Sequence, residues 1–426
     1  MSETHIVIVG GGFAGLNAAK QLAKGKQIRI TLIDRRNHHL FQPLLYQVAM
    51  AGLSPADIAA PIRAILSKYK NVRVLCSNVR RVDSEKSLLE TDNGEVSFDY
   101  LILACGAMHS YFGNDQWEQH APGLKTIEQA TEIRRRVLSA FERAEVTDDA
   151  EEKRQQLTFV IVGGGPTGVE LAGAIGEMSR FTLSKDFRNI DAKLSRVILI
   201  EAGPRILPMF TEELSSRATR DLESLGVQVW AGSMVTGIDD TGVDVSGERI
   251  QAATVLWAAG VKASSLGEQS GFECDRAGRI QVSSDLSIPN DNHIFVAGDQ
   301  CAFIDAETNR QLPGVAPAAV QQGQFIAKTI RDEIAGKPRG DFRYHDKGQM
   351  ATIGRSRAIT ETGKYKFTGM FAWLVWLVVH IYFLTGFRNR IFVVLSWAWS
   401  FVTFRRGARL IINKTWQSYP SQDEPA

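Results

Sequence analysis

The chain has 426 residues, with 49 lysines and arginines against 47 aspartates and glutamates, a formal net charge of +2 at pH 7. That balance gives no reason to expect a nucleic-acid partner, and the length provides for two or three domains with large cores. Four cysteines, Cys76, Cys105, Cys274 and Cys301, show no C-x-x-C spacing, which excludes a disulfide framework or a metal knuckle and reads as free buried thiols.

The N-terminal phrase HIVIVGGGFAGLNAA is a β-branched run, Ile6 to Val9, feeding Gly10, Gly12 and Gly15 and then a helix pattern from Leu16. In a G-x-G-x-x-G turn the first glycine permits the tight bend. The second lets a pyrophosphate approach the backbone, and the third lets helix pack on strand. The anion then lies on a helix N-terminus, where unpaired N–H groups and the dipole favour it. No basic stretch followed by an apolar one precedes this strand, so the reading expects no signal peptide and a cytosolic body. IRITLIDRR follows as a second strand ending in Asp34, placed to accept both hydroxyls of an adenosine ribose.

NHHLFQPLLYQVAMAGLSP is apolar but too punctuated for one regular element. Its His38 and His39 read as solvated or backbone-bonded, because no partner ligand spacing accompanies them, and no metal site is expected. VRVLCSNVRRVD and DYLILACGA alternate like further strands of the first unit. A charged helical stretch from Gly123 to Gln156 leads to TFVIVGGGPTGVELAG, a second copy of the opening phrase. Here Phe159 to Val162 precede Gly163, Gly165 and Gly168, with a helix pattern from Val169 to Met178. SRVILIEAGPRIL ends its strand in Glu201; the spacing from Gly168 is long against the usual ~20, so roughly Ser179 to Lys193 is looped out. An acid there favours a ribose 2′-OH over a 2′-phosphate, and therefore NADH over NADPH. Arg205 weighs the other way and reads as a solvated side chain.

VQVWAGSMVTGID and VDVSGERIQAATVLWAAG continue that unit, and NHIFVAGDQC is a strand ending in Gly298 and Asp299. LPGVAPAAVQQGQFIAKTIRDEIAG then predicts a helix with Pro317 in its first turn, where a missing N–H costs nothing. Two complete strand, loop, helix, strand, acid units imply two dinucleotide sites, and the order implies that the second domain is inserted in the first.

From Thr362 to Gln422 there are eight basic residues (Lys364, Lys366, Arg388, Arg390, Arg405, Arg406, Arg409, Lys414) and no acidic one, and five of the chain's eight tryptophans: Trp373, Trp376, Trp397, Trp399 and Trp416. Phe371 to Phe387 and Ile391 to Phe404 are apolar runs short of the ~20 residues a span requires. Two hydrophobic helices lying in one leaflet, or a shallow hairpin, fit best. A single span, and a buried core or dimer interface, are the alternatives.

In the phrases GGGFAGL, HHLFQPLLYQVAMAGLSP, LILACGAMHSYFG, GGGPTGVELAG, EAGPRILP, TVLWAAGV, FVAGDQCA, GVAPAAVQQG and GFRNRIFVVLSWAWSFVTFRRGARLI the chain resembles the type II NADH:quinone oxidoreductases, along nearly its whole length. The resemblance implies an α/β fold of two Rossmann-like dinucleotide-binding domains, the NADH domain inserted in the FAD domain, plus a C-terminal helical membrane-anchoring region. The expected divisions are 1–122 and 285–345 for FAD, 123–284 for NADH, and 346–426 for the anchor. It implies a non-covalent FAD with its pyrophosphate on Gly10 to Gly15, its adenosine ribose on Asp34 and its ribityl chain on Asp299. The helix starting at Ala316 and Pro317 would aim its N-terminus at the flavin. Phe13, Ala14, Arg35, Ala104, Cys105, Gly106 and Ala318 complete that cofactor-binding set, with Gly163, Gly165, Pro166, Thr167, Gly168, Glu201 and Gly260.

The family's A-Q-x-A-x-Q quinone motif reads here Ala316, Pro317, Ala318, Ala319, Val320, Gln321, so the first glutamine is replaced. Gln321 carries over as a candidate for a quinone carbonyl, and Glu170 as a candidate for orienting NADH or relaying protons. The implied reaction is hydride transfer from NADH to FAD and reduction of menaquinone or ubiquinone without proton pumping. It would take place in a homodimer on the cytoplasmic face of the bacterial inner membrane. Two rivals stand beside it: sulfide:quinone oxidoreductase, which would need Cys105 and Cys301 as reactive thiols, and a non-catalytic nucleotide-binding redox sensor.

Overall fold

A computed structural model describes residues 3–403 and 407–412. The chain divides into two compact units, Met1–Phe41 with Ala59–Ser110 and Gly260–Gly348, and Gln42–Ile58 with Tyr111–Ala259 and Gln349–Ala426.

The first unit is built on a six-stranded sheet in the order Ser287–Ile288, Asp291–Val296, Tyr100–Leu103, Thr4–Val9, Ile28–Asp34, Val72–Cys76, parallel except at its first pair. Ile6, Ile8, Ile30, Leu32, Ile102 and Phe295 are fully buried, as expected of strands covered on both faces, so their sequence is continuously apolar instead of alternating. Val9 pairs with Ile33, which brings Gly10 and Asp34 to the same sheet end. The helices Phe13–Leu22 and Ala316–Ile334 pack so closely that a Cβ on Gly323 would lie 2.2 Å from the carbonyl oxygen of Ala14. VRVLCSNVRRVD is divided: Val72–Cys76 joins the parallel sheet, while Val79–Asp83 opens an antiparallel meander with Leu88–Thr91 and Gly94–Ser97. Because Val72–Cys76 is an edge strand, Cys76 is exposed; Cys105 and Cys274 are half-buried, and of the four expected buried thiols only Cys301 is so.

The second unit holds a four-stranded parallel sheet, Val227–Ala231, Arg196–Glu201, Thr158–Val162, Thr254–Trp257, with the helix Pro166–Glu177 following its glycine loop. The charged stretch forms Ile127–Val146, capped by Thr126, and Ala150–Gln156, capped by Asp149. A π-helical turn, Met178–Thr182, and a 3-10 turn, Ala192–Leu194, flank an irregular stretch in which the Glu145 carboxylate accepts from the amides of Arg188 and Asn189. Arg134, 5% exposed, donates to the carbonyls of Val48, Leu53 and Ala408, joining two distant segments of this unit to its own helix, with no carboxylate partner among the described residues.

Past residue 346 the hydropathy reading missed a three-stranded antiparallel sheet, Gln349–Thr352, Ala358–Thr362, Tyr365–Thr368. Two helices follow, Gly369–Phe383 and Phe387–Thr403. The first ends before the predicted Phe387, because Leu384 is extended and Gly386 has φ 93°. Arg390 caps it by donating to the carbonyls of Tyr382 and Leu384, so Arg388 and Arg390 open the second helix instead of separating the two. Trp376 against Trp397 (5.6 Å between ring centroids) and Trp373 against Phe401 (5.7 Å) join the helices, and Trp397 Nε1 donates to Gln47 Oε1 at 2.6 Å. Their other faces leave Val378, Tyr382, Leu395, Trp399 and Val402 exposed, which is not a buried core. The first helix is ~22 Å long against a hydrocarbon core of ~30 Å. Among the described residues no helix is long and apolar enough to cross a membrane. Phe404, Arg405, Arg406, Lys414 and Trp416 lie outside the described residues.

Candidate dinucleotide sites

In the first unit the three glycines of the loop are held by different constraints. Gly10 has φ 107°, and a Cβ there would lie 2.2 Å from the carbonyl oxygen of Ala104; on Gly15 it would lie 1.9 Å from that of Gly10. On Gly12 it would meet nothing within 4 Å. Protein packing therefore requires the first and third glycines, whereas the middle one leaves room above the loop. Gly12 is also the N-cap of Phe13–Leu22 and supplies no capping side chain, so the amides of Phe13, Ala14 and Gly15 are left without a side-chain cap, an arrangement that suits an anion.

Asp34 is anchored beside this loop. Its Oδ2 accepts from Gly11 N at 2.6 Å and its Oδ1 from Arg36 N at 2.7 Å, which orients both oxygens and leaves each a lone pair for a hydroxyl. Arg35 is exposed. His39 is backbone-bonded: Nδ1 donates to the Gly11 carbonyl at 2.9 Å, and burial pushes its pKa down to about 4, so the ring is neutral. Phe13 packs edge-on against His39 and Phe41.

Ala104, Cys105 and Gly106 make the bend after Tyr100–Leu103: Ala104 N donates to the Val9 carbonyl, Cys105 N to Gln300 Oε1 at 3.1 Å, and Gly106 has φ 70°. Asp299 sits in a short turn after Gly298, with Gly314 against its carboxylate: a Cβ on Gly314 would lie 3.0 Å from Oδ1. The helix Ala316–Ile334 starts beside this turn with Pro317 in its first turn, no capping side chain on Val315, and Ala318 and Ala319 buried. Gln321, expected to face a quinone, pairs with its own main chain: Nε2 donates to the His345 carbonyl and Oε1 accepts from His345 N, both at 3.0 Å.

The second unit repeats the arrangement. A Cβ on Gly163 (φ 111°) would lie 2.6 Å from Ala259 N, on Gly168 1.9 Å from the Gly163 carbonyl oxygen, and on Gly165 near nothing within 4 Å. Pro166 and Thr167 open the helix, again without a capping side chain. Glu201 Oε2 accepts from Gly164 N at 2.6 Å and Oε1 from Gly203 N at 2.7 Å. Arg205 is partly buried, and its guanidinium donates to the carbonyls of Phe210 (2.8 Å) and Pro208 (2.9 Å) of the chain's own turn. Gly260, φ 71°, accepts from Ser110 N within the first unit.

Glu170, one turn into the helix Pro166–Glu177, accepts from the amide of Thr352, yet burial outweighs that bond and pushes its carboxyl up to about 8. Gly173 permits the contact: a Cβ there would lie 3.0 Å from Gly354 N. Nothing in the local sequence announced the partner, which comes from a strand far along the chain.

Residues 4–323 match the pyridine nucleotide-disulphide oxidoreductase family and residues 346–406 the NDH2 C-terminal domain. The chain is 45% identical over 426 residues to the type II NADH:quinone oxidoreductase Ndh of Mycobacterium tuberculosis, covering 96% of this chain and 90% of the relative. It is 33% identical over 356 residues to the type II NADH:quinone oxidoreductase of Staphylococcus aureus, covering 82% and 87%. The chain belongs to the type II NADH:quinone oxidoreductases. NDH2 from Plasmodium falciparum, solved in complex with NADH, superposes with a TM-score of 0.88 at 20% identity, over 96% of this chain and 100% of that one. The sulfide:quinone oxidoreductase of Aquifex aeolicus does so with 0.73 at 18%, over 91% and 92%. At these identities both likenesses bear on the fold alone.

The residues suit the dinucleotide that a type II NADH:quinone oxidoreductase carries on its first unit. Space above Gly12, uncapped amides and an oriented Asp34 answer the pyrophosphate and ribose of FAD. The thiols do not suit the sulfide-oxidising rival. Burial pushes Cys105 up to about 12 and raises Cys301 as well, so neither is a thiolate near neutral pH.

Proposed function

We propose that this chain binds FAD on its first unit and NADH on its second, and oxidises NADH with reduction of a membrane quinone, without pumping protons. The observation that carries this reading is the repeated loop in which only the middle glycine, Gly12 or Gly165, is open while an acid is pinned beside it. FAD supplies the two-electron chemistry when bound. The residues bind and orient. Amides of Phe13, Ala14 and Gly15 take the FAD pyrophosphate, Asp34 its adenosine ribose and Asp299 the ribityl chain, while the positive end of Ala316–Ile334 favours negative charge nearby. Glu201 takes the NADH ribose, where its carboxylate would repel a 2′-phosphate, and the Arg205 guanidinium is bonded to its own turn.

The balance is NADH plus quinone plus one proton giving NAD⁺ and quinol. Glu170, protonated below about pH 8, is the residue able to hold that proton. Gln321 stays in the proposal as a quinone contact only if its pairing with His345 opens.

The exposed apolar faces of Gly369–Phe383 and Phe387–Thr403, with basic Arg388 and Arg390, support docking on the cytoplasmic face of the membrane, menaquinone or ubiquinone being the acceptor there. A homodimer completes the reading. The test is anaerobic titration of the purified protein with NADH, followed by a menaquinone or ubiquinone analogue. Bleaching of the flavin absorbance and its return with quinone are expected. Bleaching without return would leave a redox sensor, and bleaching by sulfide alone would favour the rival.

A further inference from the structure

The strand Tyr365–Thr368 is the outer edge of the three-stranded sheet, and the chain runs from it directly into the first hairpin helix at Gly369. Side chains alternate across a strand, so Tyr365 and Phe367 share one face and Lys366 lies on the other. The Lys366 face turns to the body of the unit. Its Nζ lies 3.2 Å from Glu213 Oε2, and its cross-strand neighbour Glu361 accepts from Thr211 N, both at the start of the helix Glu212–Ser224. The aromatic face therefore looks the other way, onto the hairpin. Tyr365 stacks on Phe367 with ring planes 4° apart, and Phe367 meets Phe371 edge-on at 5.2 Å between centroids.

Phe371 begins an exposed row, Phe371, Leu374, Val378 and Tyr382, that follows helical spacing from the first turn to the last, and Ile391, Leu395, Trp399 and Val402 do the same on the second helix. Apolar exposure is thus not gathered at the hairpin tip: Tyr365 at the sheet end is 70% exposed and Tyr382 at the tip end 69%. The tip carries the exposed Arg388. Driven tip-first over its ~22 Å, the hairpin would take that guanidinium past the middle of a ~30 Å hydrocarbon core while Tyr365 stayed in water. Laid flat, it keeps Arg388 and Lys364, which lies in the turn before the strand, at headgroup level and buries both rows. No acidic residue between Thr362 and Thr403 opposes an anionic surface. We propose that the aromatic face of Tyr365–Thr368, with Lys364, is a lipid-contact surface outside the hairpin that seats at the headgroup level of an anionic bilayer, so that the hairpin lies along the membrane. The assignment rests on the reading that the hairpin docks on a membrane.

The test uses full-length protein and vesicles of phosphatidylcholine with phosphatidylglycerol. Flotation compares wild type, Tyr365→Ser and Tyr382→Ser, one at each end of the exposed surface, and each substitution is expected to weaken partition about three- to tenfold. An environment-sensitive fluorophore on Tyr365→Cys, in a Cys76→Ser background that removes the exposed native thiol, reports depth. Its emission is expected to rise and shift to the blue on binding, and to be quenched more by a spin label near the headgroup than by one deep in the acyl chain. Weakening by Tyr382→Ser alone, or a fluorophore that stays in water on bound protein, means tip-first docking and overturns the proposal. A Tyr365→Ser protein that floats like wild type but no longer self-associates assigns the surface to a second copy of the chain, which overturns it equally. Circular dichroism and thermal melts check folding. If Tyr365→Ser does not fold, Lys364→Glu in the exposed turn replaces it, expected to weaken binding to the mixed vesicles and not to pure phosphatidylcholine; equal binding to the mixed vesicles would overturn the proposal. A wild type that does not float at all would overturn the underlying docking reading instead.

Discussion

Glu201 accepts the amide of Gly164 at 2.6 Å, and in the other unit Asp34 accepts that of Gly11 at the same 2.6 Å. Each acid thus clamps its own glycine loop, so its oxygens are oriented before a nucleotide arrives. Gln in place of Glu201 keeps one acceptor and loses the charge. We expect Glu201→Gln to lower kcat/KM for NADH about tenfold while leaving that for NADPH nearly unchanged, since Arg205 is not released to help a phosphate. Steady-state kinetics with both nucleotides give the ratio; an unmoved ratio removes Glu201 from cofactor choice.

The loop glycines should separate folding from binding. Gly12→Ala and Gly165→Ala add a methyl where no protein atom stands within 4 Å, so both should fold. Gly12→Ala should purify without flavin, and Gly165→Ala should purify yellow with a raised KM for NADH. Gly15→Ala and Gly168→Ala would press on a carbonyl oxygen at 1.9 Å and should lower the unfolding temperature or abolish expression. Flavin content and thermal melts distinguish the two classes, and a yellow Gly12→Ala protein would contradict the placement of the pyrophosphate.

Glu170 makes a prediction about pH. Its carboxyl sits at about 8 in the folded chain against 4.5 as a model group, so the folded state holds a proton that the unfolded state releases. Its contribution to stability is complete below about 4.5 and is lost as pH rises through about 8. Glu170→Gln should remove that decline, bringing the variant's melting temperature closest to or above wild type in alkali. It should also remove a break near pH 8 in quinone reduction. Parallel melting curves for both proteins would sink the assignment of this titration to Glu170.

The terminal hairpin predicts a separable membrane function. Val378 is 65% exposed on the apolar face of Gly369–Phe383. Val378→Asp should weaken partition onto lipid vesicles about tenfold or more, because a carboxylate resists transfer from water to the interface, while oxidation of NADH with a soluble quinone analogue is retained. Vesicle flotation beside the solution assay measures both.

Periodicity and glycine spacing made the two strand, loop, helix, strand, acid units readable, because tight turns and close backbone approaches accept few residue types and so leave a local mark. Asp34, Glu201 and the helix from Ala316 were legible for that reason. The three-stranded sheet at Gln349–Thr352, Ala358–Thr362 and Tyr365–Thr368 was not. Its strands are short and its pairing partners are set by register, while the stronger hydropathy of the following helices dominates any local average.

What the amino-acid order determined by itself was the pair of nucleotide loops, their acids and an apolar, basic terminus, each encoded within a few dozen residues. Tertiary structure alone decided that Thr352 faces Glu170, that Arg205 is held by Pro208 and Phe210, that Gln321 pairs with His345, and that Lys366 turns to Glu213. The physical reason is that burial and hydrogen-bond partnership are properties of packing between segments remote in the chain. No local pattern of residue types carries them.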